Sequence, residues 1–109
     1  MSIVRNATTS NDYEELYDYD DSEGAGFHPS GIIKKAGTNS MTARISLTSV
    51  FRGNEQQGAF EILGGTSFEF ECMVNPPVLV EVPIGRIRIE VKSTLSDLHT
   101  NYQARVIFP

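Results

Sequence analysis

From Met41 to the end of the chain apolar and polar residues alternate with a period of two, and no other feature of the sequence restricts the fold so tightly. Side chains on a strand point alternately to opposite faces, so this pattern gives half-buried strands and leaves little room for helices. Ala43, Ile45 and Leu47 alternate with Arg44, Ser46 and Thr48, and Val50-Phe51 then breaks the phase as a bulge does, which predicts a first strand over about residues 42–52. The run Ala59–Leu63 leads through Gly64-Gly65 into residues 66–74, with Phe68, Phe70, Cys72 and Val74 on one face and Glu69 and Glu71 on the other. Two glycines between alternating runs predict a hairpin with a primed turn. Asn75-Pro76-Pro77 ends that strand. Val78–Val82 reads as a short strand, Arg86–Lys92 as one with Ile87, Ile89 and Val91 inward, and Tyr102–Pro109 as the last.

These runs predict an all-β domain over residues 41–109, a small antiparallel β-sandwich or barrel of about six strands. A core drawn from so few residues is marginal, so association or docking is expected to complete its stability. Residues 1–40 read differently: a polar start, an acidic stretch, and a passage rich in Gly24, Gly26, Pro29, Gly31 and Gly37. Seven of the fourteen acids fall in the first 23 residues beside one base, Arg5, giving −6 there and +1 over the rest, for a net −5. Such a segment predicts an extended or disordered acidic arm that orders on a partner, because it offers little apolar surface against its backbone entropy. Its apolar groups, Tyr13, Leu16, Tyr17, Tyr19, Phe27, Ile32 and Ile33, are the candidate partner-binding residues. Tyr13, Leu16 and Tyr17 stand at helical spacing, so a short amphipathic turn is one reading of them and an unstructured tail the other.

Chemistry is sparse. Asp18-Tyr19-Asp20-Asp21-Ser22-Glu23 suggests hard oxygen ligands for calcium, but counted as an EF-hand loop from Asp18 the sixth place is Glu23 and the twelfth is Pro29. No metal and no cofactor is expected. Cys72 is the single cysteine, which excludes an intrachain disulfide, and its inward phase makes it a small core hydrophobe rather than a nucleophile. His28 and His99 lie in predicted loops, and no nucleotide, nucleophile-elbow or zincin spacing occurs, so no catalytic residue and no enzyme is expected. Dispersed bases and an acidic tail argue against nucleic acid, and no apolar run is long enough to predict a membrane span. Met1-Ser2-Ile3-Val4-Arg5 lacks the apolar core of a secretory signal, which predicts cytosolic synthesis. Glu69 and Glu71 either pair with Arg86, Arg88 and Arg105 across neighbouring strands or, if the strands lie apart, form stripes that favour head-to-tail association of copies.

An acidic arm ahead of a compact β domain that ends on a strand, Tyr102–Pro109, resembles in organisation the small virion proteins of tailed bacteriophages, such as capsid decoration or cement proteins. The resemblance implies a non-enzymatic structural component made in the host cytoplasm and carried on the virion. It further implies a protein lattice of capsid or other virion subunits as partner, with homo-oligomerisation possible. Deleting the arm is then expected to leave a folded domain that no longer attaches, and binding is expected to depend weakly on salt because Phe27 and Ile32 carry part of the energy. The alternative is a small acidic inhibitor or adaptor on a basic surface of a host protein, with residues 13–23 imitating a charged ligand and strong salt dependence. A carbohydrate-binding module is a third reading, disfavoured by the absence of tryptophan.

Overall fold

Eight strands, joined by short turns where the connections are described, carry the apolar alternation into two facing sheets. They are β1 (Ser2–Thr8), β2 (Glu14–Asp20), β3 (Ser30–Ala36), β4 (Met41–Ser49), β5 (Glu55–Ile62), β6 (Ser67–Glu71), β7 (Ile84–Ser93) and β8 (Asn101–Ile107). The computed structural model describes residues 2–20, 26, 28–50, 55–71 and 84–107. One sheet has the order β1-β8-β3-β6 and the other β2-β7-β4-β5, with every pairing antiparallel. This order is that of a double-sheet jelly roll. No helix long and apolar enough to cross a membrane occurs among the described residues.

The expected all-β sandwich is what forms, but its membership is wider than the sequence suggested. The described strands of residues 1–40 do not stand apart as an arm: β1 and β2 are edge strands of different sheets, and β3 lies inside the first sheet between β8 and β6. The acidic residues of β2 point outward while Tyr17 and Tyr19 pair with Ile89 and Ile87 of β7. A segment too polar to fold alone thus finds its apolar partner 68 to 72 residues away in the sequence. A register shift between Glu15 and Tyr17 marks a bulge at Leu16, so Leu16 and Tyr17, adjacent in a strand, both pack against the core, while Tyr13 precedes the strand.

Inward residues form two adjoining clusters. Tyr17, Ile45, Leu47, Phe70, Ile84, Ile87, Ile89 and Val106 fill one, and Ile33, Met41, Ala43, Ile62, Val91, Tyr102 and Ala104 the other. Both draw on both sheets, so the core seals the sandwich, each fully buried isoleucine contributing about 1.5–3 kcal/mol by removal from water. The flank between edges β5 and β6 is closed by Phe60 stacked on Phe68 at 4.1 Å. The opposite flank is bridged by Arg5, whose Nη1 donates to the Glu15 carbonyl at the bulge, 2.7 Å away.

Two other expectations change. Ala59–Leu63 and residues 66–74 do not form a hairpin, because β5 and β6 belong to different sheets. Gly64-Gly65 is therefore a crossing between sheets, where Thr66 N–H donates to the Leu63 carbonyl at 3.2 Å and Gly65 has φ +75°. Positive φ at the third turn position, with none at Gly64, fits a type II turn rather than a primed one. The strand expected over Val78–Val82 and the inward placement of Cys72 lie outside the described residues.

Candidate functional site

Strand direction sorts the connections into two ends. Residues 9–13, 37–40, 63–66 and 94–100 join strands at one end, whereas Ser2 and Ile107, paired across β1 and β8, stand at the other. The first end is stitched by hydroxyls. Ser93 Oγ lies 2.8 Å from Thr9 Oγ1 and 2.9 Å from His99 Nδ1, and Thr9 Oγ1 accepts from Thr100 N–H at 3.0 Å. Asn39 Nδ2 donates to the His99 carbonyl, and Thr100 Oγ1 to the Ala36 carbonyl. A serine beside an imidazole has the outline of a nucleophile and its base. Here the serine is 2% exposed and already engaged by Thr9, so an incoming carbonyl has no path to Oγ. The cluster ties three loops together. It went unnoticed in the sequence, where Thr9, Ser93 and His99 share no spacing motif.

The outer face of the second sheet is an ion-pair lattice. Arg86 holds Asp18 through Nε at 3.2 Å and Nη2 at 2.9 Å, and Arg44 holds Glu90 at 3.1 and 2.9 Å. Arg88 reaches Glu55 at 2.7 Å. Hydrogen bonding to these carboxylates raises the pKa of Arg44 and of Arg86 above the usual arginine value. Tyr13 lies on this face with the Arg44 guanidinium 3.9 Å and Lys92 Nζ 5.4 Å from its ring centre. Arg86 and Arg88 therefore pair with β2 and β5, not with Glu69 and Glu71, since β6 belongs to the other sheet.

The candidate partner-binding residues do not form one surface. Tyr17 and Ile33 are core residues, 8% and 1% exposed; burial is the foremost cause that pushes the Tyr17 hydroxyl up to about 12, with Tyr19 and Asp18 adding to it. Leu16 and Tyr19 are half-buried against the same core, Tyr13 is covered by Arg44, and Ile32 is half-buried on the outer face of the first sheet. Phe27 lies outside the described residues. Exposed apolar side chains are found elsewhere. Val4 and Ile107 lie on the outer face where β1 meets β8, with Ile3 on the other face of that edge, and Leu63, Leu95 and Leu98 sit in the turns of the opposite end. An open cleft of about 300 Å³ between those turns is lined by Thr38, Asn39, Ser40, Glu61, Thr94, Leu95 and Leu98. The isolated leucines of the loops carried no periodic signal, so sequence reasoning passed over them. Among the described residues no cluster of three metal-ligating side chains occurs.

No protein-family profile matches the chain, and no curated protein matches it. Among solved structures it is similar to a subunit of Bacillus endospore appendages, described as a family of disulfide-linked pili, with a TM-score of 0.58 and 15% identity over 97% of this chain and 82% of that one. At that identity the likeness is one of fold.

Proposed function

We propose that the chain is a non-enzymatic structural subunit that acts by packing against other subunits in an ordered protein assembly. The observation that carries this reading is the β1 edge. Ser2–Thr8 pairs with β8 on one side only, is mostly exposed, and has a single charge and no proline to blunt it. Such an edge offers free backbone donors and acceptors to another chain, and natural proteins normally guard it when no partner exists. The closed Ser93–His99 pair and the fold shared with a pilus subunit support the same reading. One cysteine per chain can link at most two copies covalently, so a polymer of this chain would rest on non-covalent contacts.

Copies of the chain itself are the first partner this reading assigns. A second setting, the surface lattice of a bacteriophage particle made in the host cytoplasm, is favoured by the jelly-roll order, which recurs in viral capsid domains. The inhibitor reading loses support because Asp18, one of its ligand-mimicking acids, is held by Arg86 and Tyr17 is in the core. Electron microscopy of the purified full chain across a concentration series tests the proposal: regular polymers or rings are expected, and dispersed monomers at every concentration, alone and with candidate shells, would overturn it.

A further inference from the structure

The two exposed apolar clusters lie at opposite ends of the molecule and carry opposite charge. Leu63, Leu95 and Leu98, which are 57%, 62% and 45% exposed, stand in turns beside the exposed acids Glu61 and Asp97. Val4 and Ile107, which are 47% and 44% exposed, share an outer face with Arg105, the register partner of Val4, while Ile3, 39% exposed, stands on the other face of the same edge opposite Val106. Arg44, Arg86 and Arg88 each hold a carboxylate, but Arg105 has no ion pair among the described residues, and neither has Glu61 or Asp97. Unspent charge of opposite sign next to matching apolar groups at the two ends is complementary between copies, not within one.

We propose that copies of this chain associate head to tail, the loop-end leucines of one packing on the Val4 and Ile107 corner of the next, with Arg105 meeting Glu61 or Asp97. The inference rests on the subunit reading and adds the surface it uses. Because the two patches differ, the contact is heterologous, and because they lie at opposite ends of the molecule its repetition along that axis gives an open filament rather than a two-fold dimer. The ten-residue β7 spans about 33 Å at roughly 3.3 Å per residue, more than the 24 and 21 Å short extents, so the 40 Å long axis runs with the strands. The filament repeat is therefore expected near 40 Å.

Two variants, each blocked at one end, test this. Leu95→Asp with Leu98→Asp blocks the loop end; Val4→Asp with Ile107→Asp blocks the corner, and unchanged circular dichroism confirms that both fold. In sedimentation velocity the unaltered chain should grow with concentration, each variant alone should associate at least tenfold more weakly, and an equimolar mixture should give a 1:1 dimer that grows no further. Arg105→Glu should weaken association and Glu61→Arg should restore it in the mixture, which keeps the test decisive if an aspartate variant misfolds. An unaltered chain that stays monomeric overturns the subunit reading together with this interface. Variants that polymerise like the unaltered chain overturn the interface alone. So would leucine-dependent co-sedimentation with phosphatidylglycerol vesicles while self-association is unchanged, since the leucines would then serve a lipid surface.

Discussion

The outer faces of the two sheets are built on different terms. On β2-β7-β4-β5 the three arginines are spent within the molecule: Asp18 with Arg86, Glu55 with Arg88, Glu90 with Arg44, and Tyr13 beneath Arg44, leaving Glu61 at the loop end of β5 without an ion pair among the described residues. On β1-β8-β3-β6 one row across the strands reads Val4, Arg105, Ile32, Glu69. There neither Arg105 nor Glu69 forms an ion pair among the described residues. A face whose charges are mutually satisfied has little to gain from a partner. A face with unpaired charge, exposed valine and isoleucine, and an unguarded edge keeps its interaction energy for something outside itself.

The strongest way to break this comparison is to remove what both faces share. A chain starting at Met41 loses β1, β2 and β3, and with them Tyr17 and Ile33 of the core and the acid that holds Arg86. It is expected to lose cooperative thermal unfolding altogether, and a sharp transition with dispersed amide resonances would contradict the fold. Next in size, Ile89→Ala, at a fully buried position, should cost about 2–5 kcal/mol in urea unfolding, whereas Ile107→Ala at the exposed corner should stay within about 0.5 kcal/mol. Equal losses would mean the corner is part of the core.

Gly31→Ala tests how closely the first sheet is packed. An added Cβ would lie 2.5 Å from Phe70 Cζ and 2.8 Å from the Arg105 carbonyl oxygen, and the backbone oxygen cannot move aside as a side chain can. A loss of about 1–3 kcal/mol is expected from overpacking. On the second sheet, Arg44→Ala should cost only about 0.2–1 kcal/mol, less at high salt, because its pair with Glu90 is partly solvated.

The smallest effect is spectroscopic. Tyr17 titrates near 12 in the folded chain against 10.0 for the free group, so the folded state holds that proton more tightly. Its contribution to stability is full below pH 10 and is lost as pH rises from about 10 to 12. Absorbance titration of the folded chain should show a late tyrosine that Tyr17→Phe removes; an unchanged titration curve would place Tyr17 at the surface.

Periodicity made the core strands legible. β4, β7 and β8 fall near their expected ranges because each alternates cleanly between inward aliphatic and outward polar residues. β2 was hidden by its bulge and its acids, although the alternation Tyr17-Asp18-Tyr19-Asp20 was the signal that a strand lay there. β1, an exposed edge, buries too little to show a pattern, and β3 turns Lys35 inward, where Nζ donates to the Gly37 carbonyl. The partners that make these segments fold are distant in sequence: Asp18 and Arg86 are 68 residues apart, Thr9 and Ser93 84. Local composition holds no record of such contacts, so it described the segment as it would be alone. The contact surface was illegible for the same reason, since its two halves are brought to opposite ends only by the sheet topology.

Amide hydrogen exchange of the full chain at low and high protein concentration tests most directly whether the first sheet and the two ends are surfaces for assembly. Added protection at high concentration is expected in residues 2–8, 61–66 and 94–98, with none on β2 or on residues 55–59 of β5. Protection that is the same at every concentration, or that is gained on β2 and residues 55–59 instead, would contradict the assembly surface.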